Sequence, residues 1–121
     1  MANAVRPQCR PGQQSVFGSA RHELIKVACA VDAQPAAGLT FRWQLNTSLE
    51  LVDVPAANAL NPTATTSVVH HRVQSERDYG ALLCWARNAL GEQHQPCIFY
   101  VHSAGKKQNK MTKNRSISSV Y

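Results

Sequence analysis

Three residues constrain this chain more than any others: Cys29, Trp43 and Cys84, each inside a run whose side chains alternate. From Leu24 to Val31, the set Ile25, Val27, Cys29 and Val31 falls on one face and Leu24, Lys26, Ala28 and Ala30 on the other. From Leu39 to Leu45, Phe41 and Trp43 alternate with Thr40, Arg42 and Gln44. Period-two alternation marks a half-buried strand, because successive side chains leave a strand on opposite faces. Around Cys84 the same reading puts Leu82, Cys84 and Ala86 inward and Leu83, Trp85 and Arg87 outward. The Asp78-Tyr79-Gly80 lead-in and the Asn88-Ala89-Leu90-Gly91 that follows frame this run as strand, hairpin turn, strand, since Asn and Gly tolerate positive φ at little cost.

The remaining strands are read by the same rule. Thr65 to Val73 places Val69, His71 and Val73 inward, and a last strand from about Gln93 to His102 does so with Cys97, Phe99 and Val101. Residues 1–12 are turn-rich and read as an edge strand held by Cys9, with Gln13 to Phe17 a second piece of the same edge. Asp32 to Gly38 reads as a turn, Leu49 to Val54 as one short strand, and Pro55 to Thr66 as irregular. Helical periodicity appears nowhere over a useful length, so the class is all-β. A strand cysteine, a strand tryptophan and a second strand cysteine in this order are the signature of an immunoglobulin-like two-sheet β-sandwich with Greek-key topology, its Trp43 packed on a Cys29–Cys84 bridge.

With 121 residues the chain makes one domain plus ends: an extension over 1–8, the domain over 9–104 and a basic, disordered tail over 105–121. Of the net charge of +6, five units come from Lys106, Lys107, Lys110, Lys113 and Arg115, which leaves the domain near +1. That is no electrostatic footprint for nucleic acid. A nucleic-acid or anionic-membrane binder working through the tail is therefore the weakest alternative. Four cysteines without a C-x-x-C pair favour disulfides in an oxidising compartment over zinc or redox motifs. Residues 1–20 hold no apolar signal core, and no run of about 18 to 20 apolar residues occurs to span a bilayer. The expectation is a fragment of a longer secreted or membrane-anchored chain, acting outside the cell.

Four cysteines allow three pairings. Cys29 with Cys84 is favoured because both sit mid-strand on inward faces with Trp43 between them; that leaves Cys9 with Cys97, which asks the first strand to lie beside the last. Leu82 stands where many such domains carry a tyrosine, so its corner hydrogen bond is expected to be missing, and Tyr79 reads as no substitute. Asp78 reads as the anchor of a turn. The five histidines lack ligand spacing, and His70 and His71 point to opposite faces of one strand, so no metal or other cofactor is expected. No nucleophile or phosphate-loop motif supports an enzyme. The outward residues Trp85, Arg87, Ile98, Tyr100, Arg42 and Gln44 share one face and form the candidate interface, with the composition of binding hot spots. The bland reading has Trp85 simply covered by a neighbouring arginine or by an adjoining domain. Asn46-Thr47-Ser48 is a glycosylation sequon on a turn; Asn61-Pro62-Thr63 is blocked by its proline, and Asn114-Arg115-Ser116 lies in the tail.

The run Cys84-Trp85-Ala86-Arg87-Asn88-Ala89-Leu90-Gly91-Glu92-Gln93-His94-Gln95-Pro96-Cys97-Ile98-Phe99 resembles an immunoglobulin repeat of the arthropod Sidestep family. Cys9-Arg10-Pro11-Gly12-Gln13-Gln14, Ala20-Arg21-His22-Glu23 and Phe41-Arg42-Trp43 agree with it, so the likeness covers residues 9 to about 105. It implies a neuronal cell-surface glycoprotein of axon guidance whose partners are immunoglobulin-superfamily receptors of the Beaten path type. In such proteins partner binding is expected mainly at the membrane-distal domains, so a later repeat serves as a spacer. The chain leaves the family pattern at Ala104-Gly105, where Lys106-Lys107-Gln108 follows instead of a further module. A stand-alone secreted binding module, of immune or decoy type, is the first alternative.

Overall fold

A computed structural model describes residues 4–104. They form two antiparallel-dominated sheets packed face to face, an immunoglobulin-like β-sandwich. The smaller sheet has four strands in the order β1 (Val5–Cys9), β3 (Leu24–Gln34), β7 (Thr66–Arg72), β6 (Ala59–Thr63). The larger has six: β2 (Val16–Ser19), β10 (Cys97–Ser103), β8 (Gly80–Asn88), β4 (Thr40–Asn46) and β5 (Leu51–Asp53) in sequence across it, with the two-residue β9 (Gly91–Glu92) also paired to β8.

Alternation builds the core as read. Val27, Cys29 and Val31 of β3 and Ser67 and Val69 of β7 face Trp43, Leu45, Leu82, Cys84, Ala86, Phe99 and Val101 of the other sheet, all buried. Burying a side chain such as Leu82 or Phe99 stabilises by about 1.5 to 3 kcal/mol. The Trp43 indole lies 5.8 Å from the Phe99 ring, centroid to centroid, and donates its N–H to the Ser67 hydroxyl at 3.0 Å. That bond crosses the sandwich and satisfies the one polar atom an indole brings into a core.

Both disulfides cross it too. Cys29 of β3 is bonded to Cys84 of β8, and Cys9 of β1 to Cys97 of β10. In the register of the larger sheet Trp43, Cys84 and Cys97 stand side by side across β4, β8 and β10. One cross-strand row therefore carries both bridges and the indole.

Several sequence expectations change. Residues 13–17 are not a second piece of the first edge: β1 pairs antiparallel with β3, whereas β2 pairs parallel with β10 in the opposite sheet. The first strand thus does not lie beside the last. The Cys9–Cys97 bridge spans the gap between sheets instead. The chain switches sheets at residues 10–15, where Pro11 and Gly12 bar a continuous strand, and the Gln13 amide closes the ladder β1 leaves open. Its Nε2 donates to the Ala30 carbonyl at 3.0 Å and its Oε1 accepts the Ala30 N–H at 2.9 Å. β1 begins at Val5, so residues 5–8, read as an extension, belong to the smaller sheet. β3 runs on to Gln34, past the turn read from Asp32, because β1 pairs with its far end at Val5–Gln34 and Gln8–Asp32.

Pro55 to Thr66 is not irregular. It contains a 3-10 turn at Ala56–Asn58 and the edge strand β6, which holds Pro62 at a position where a missing N–H costs no central hydrogen bond. The final strand begins at Cys97, and Gln93 is a separate device. It is buried, its N–H donates to the Ala86 carbonyl at 3.1 Å and its Oε1 accepts the Ala86 N–H at 2.7 Å, while Nε2 lies 3.4 Å and 3.5 Å from the Cys9 and Cys97 sulfurs. A glutamine side chain patches a strand edge here as Gln13 does on the other sheet.

Candidate functional site

The register fixes which side chains share the outer face of the larger sheet. Val16, Tyr100, Ala81, Asn46 and Leu51 form one cross-strand row over β2, β10, β8, β4 and β5. Ile98, Leu83, Gln44 and Asp53 form the next, and Trp85 with Arg42 the third. Glu92, Arg87 and Thr40 complete the far end. The six candidate interface residues, Arg42, Gln44, Trp85, Arg87, Ile98 and Tyr100, therefore stand on one surface.

That surface has two halves. Over β4, β8 and β9 the side chains are engaged with one another. The Arg42 guanidinium lies over the Trp85 ring, 4.8 Å from its centroid, and its Nε and Nη2 donate to the two Glu92 carboxylate oxygens at 2.7 and 3.0 Å. The Trp85 N–H donates to Gln44 Oε1 at 2.9 Å, and Gln44 Nε2 to Asp53 Oδ1 at 3.2 Å. A polar chain thus runs Glu92, Arg42, Trp85, Gln44, Asp53 across the pleat. The Arg42 hydrogen bonds hold the Glu92 carboxyl below the usual carboxylate range, and Glu92 raises Arg42 in turn. Both partners are half-exposed, so solvent screening keeps the pair to about 1 kcal/mol or less.

Over β10 and β2 no side chain is engaged in this way among the described residues. Val16, Ile98 and Tyr100 are 52%, 40% and 52% exposed, next to a shallow hollow lined by Val16, Gly80, Ala81, Tyr100, Val101 and His102. The hollow is open and almost wholly apolar, without the converging polar groups that orient a small ligand. Gly80 belongs here for a steric reason: at φ 153 its Cα lies against the Asn46 carbonyl, and any Cβ would collide with that oxygen. The sequon asparagine itself is the last residue of β4 and is exposed.

Some functional and structural roles were hidden from sequence. Tyr79 is a phenol latch after all: its hydroxyl donates to the Ser19 carbonyl at 2.7 Å, tying the start of β8 to the end of β2 rather than closing a local corner. The buried Asn88 donates through Nδ2 to the Val5 and Gln34 carbonyls at 2.7 and 3.2 Å and accepts the Leu90 N–H at 3.0 Å. It shapes its own turn and ties the hairpin to β1 and β3. Asp78, by contrast, is the turn anchor its sequence suggests: its Oδ2 accepts the Gln74 and Ser75 N–H groups leading into the 3-10 turn at Glu76–Asp78. Among the described residues no three His, Cys, Asp or Glu side chains converge as metal ligands, and no helix is long and apolar enough to cross a membrane. The tail and its Asn114 sequon lie outside the described residues.

No protein-family model and no curated protein matches the sequence. Solved immunoglobulin-domain structures match the fold. Titin M4 superposes with a TM-score of 0.62 at 13% identity, over 85% of this chain and 100% of that one. A Dscam structure solved for isoform specificity gives 0.59 at 15%, over 84% of this chain and 25% of its own, so this chain spans a quarter of the Dscam chain. A ZIG-8–RIG-5 IG1–IG1 heterodimer gives 0.57 at 14%, over 81% and 92%. At these identities the likeness is one of fold.

Proposed function

We propose that this chain is a non-catalytic recognition or adhesion module of the cell surface, a piece of a longer Sidestep-like axon-guidance protein, and that it meets protein partners with the outer face of its larger sheet. The observation that carries this is the open half of that face, where Val16, Ile98 and Tyr100 stand exposed beside the Arg42–Trp85 stack. Exposed aromatic and aliphatic side chains rimmed by arginine are the composition of protein hot spots. Two disulfides support an extracellular setting. Among the solved relatives in fold, ZIG-8 and RIG-5 pair through such domains. By resemblance, the partner is an immunoglobulin-superfamily receptor of the Beaten path type.

The engaged half favours a second reading, a spacer. Arg42 clamped by Glu92 over Trp85 already satisfies the largest aromatic on the face, as a surface that meets only neighbouring repeats would. A binding screen separates the two. The secreted domain is offered to a panel of immunoglobulin-superfamily ectodomains as wild type, Tyr100→Ala, Ile98→Asp and Lys26→Glu, the last on the outer face of the smaller sheet. Recognition predicts a loss of at least tenfold for the first two variants and none for Lys26→Glu. Equal binding by all four, or by none, contradicts it.

A further inference from the structure

We infer that Asn46 carries an N-linked glycan and that this glycan guards the open edge of the larger sheet at β5. Asn46 is exposed at the end of β4, its side chain makes no hydrogen bond among the described residues, and Ser48, the hydroxyl residue of the sequon, is exposed in the following turn. Two further contacts hold the site out. The Asn46 carbonyl is buttressed by Gly80, and the Thr47 hydroxyl accepts the Leu49 and Glu50 N–H groups, each at 3.2 Å. Backbone and turn are fixed while the amide projects outward. The compartment that forms disulfides is also the one that transfers glycans, so the inference rests on the extracellular placement proposed above.

What the glycan does follows from its neighbours. Val54 N–H donates to the Trp43 carbonyl and Thr47 N–H to the Glu50 carbonyl, both at 2.9 Å, which makes Asn46–Leu51 a non-hydrogen-bonded pair, the closer kind across an antiparallel ladder. The Leu51 side chain therefore lies beside the Asn46 amide on the outer face. The same phase turns the backbone N–H and C=O of Leu51 and Asp53 away from β4, to the open edge. Leu49, Leu51 and Val52 are 67%, 54% and 36% exposed there. An edge strand with exposed apolar side chains and backbone groups unpaired among the described residues is a template for pairing with another chain. β5 is only three residues long, and its one charged side chain, Asp53, accepts from Gln44 Nε2; it carries no lysine, proline or bulge of its own. A bulky, hydrated glycan one strand away supplies the protection.

The test is secretion of the domain from a glycosylating eukaryotic host behind a cleavable leader. Peptide mapping after enzymatic deglycosylation in heavy-oxygen water reads occupancy at Asn46, and sedimentation velocity over a concentration series reads association. The expected result is one glycan at Asn46, lost in Asn46→Gln and Ser48→Ala and kept in Ser48→Thr. Asn46→Gln then shifts from monomer to concentration-dependent association, and adding Leu51→Lys reverses the shift. An unmodified Asn46 peptide in the secreted protein overturns the site. A monomeric Asn46→Gln, or association that Leu51→Lys leaves in place, overturns the guarding role. Both readouts work without a partner, so they fail separately from the recognition proposal, which falls only in the binding screen.

Discussion

The two disulfides join the same two sheets and leave neighbouring strands of the larger one, yet their surroundings differ. Cys29 and Cys84 have no solvent exposure, and Trp43 stands next to Cys84 in the row. Cys97 is buried but Cys9, on an edge strand, is exposed. Loop closure alone ranks them nearly equal and slightly favours the outer bridge, which spans 88 residues against 55, since each doubling of a loop adds only about 0.6 kcal/mol. Packing ranks them the other way, because only the inner bridge is surrounded by core on every side. The difference separates two jobs: one link defines the sandwich, and the other clips its margin.

Double replacement of Cys29 and Cys84 by Ala breaks the comparison at its stronger end. We expect a loss of about 5 kcal/mol, closure entropy plus the cavity left by two sulfurs, read as collapse of the denaturant transition. Cys9→Ala with Cys97→Ala is expected to cost about 3 kcal/mol, with lost hydrogen-exchange protection confined to β1 and its contacts. If that order reverses, loop length governs and burial does not. Asn88→Ala sharpens the margin further. It strips hydrogen bonds from the Val5 and Gln34 carbonyls and should cost about 2 kcal/mol in chemical denaturation. Tyr79→Phe removes the latch to Ser19 for about 1 kcal/mol.

The smallest effect belongs to Glu92. The Arg42 hydrogen bonds hold its folded-state carboxyl below the usual carboxylate range, so the stability it adds is full above the unfolded-state pKa and is lost as pH falls through the lower folded value. Glu92→Gln should flatten this acid limb by under about 1 kcal/mol, an effect that salt weakens.

The inner region was legible because its cause is local. Val27, Cys29 and Val31, or Leu82, Cys84 and Ala86, announce a buried face by spacing alone, and two sheets with inward cysteines leave little choice of fold. The margin was not, because polar side chains there do work the backbone does elsewhere. Gln13 and Gln93 each pair with both backbone groups of one residue on another strand, and Asn88 and Tyr79 reach carbonyls far along the chain. No pattern within a window of sequence marks such contacts. β6, with the sequence Ala-Leu-Asn-Pro-Thr and only Ala59 half-buried, has no alternation to read. The outer face was half legible. Alternation sorted Trp85, Ile98 and Tyr100 to one side and left open whether an arginine covers Trp85; the structure shows that Arg42 does, while the other two stay exposed. Residues 4–104 thus combine a core written in spacing with a surface written in register.

The most direct test of this division is reduction under native conditions. The folded domain is treated with rising concentrations of a dithiol reductant, quenched with an alkylating reagent, and each cysteine is mapped by mass. Thiolate attack requires access to a sulfur, and of the four cysteines only Cys9 is an exposed residue. The account predicts that Cys9 and Cys97 are alkylated while the sheets remain folded and Cys29–Cys84 stays bonded until the domain is unfolded. Release of Cys29–Cys84 first, or of all four cysteines together from the folded state, would contradict it.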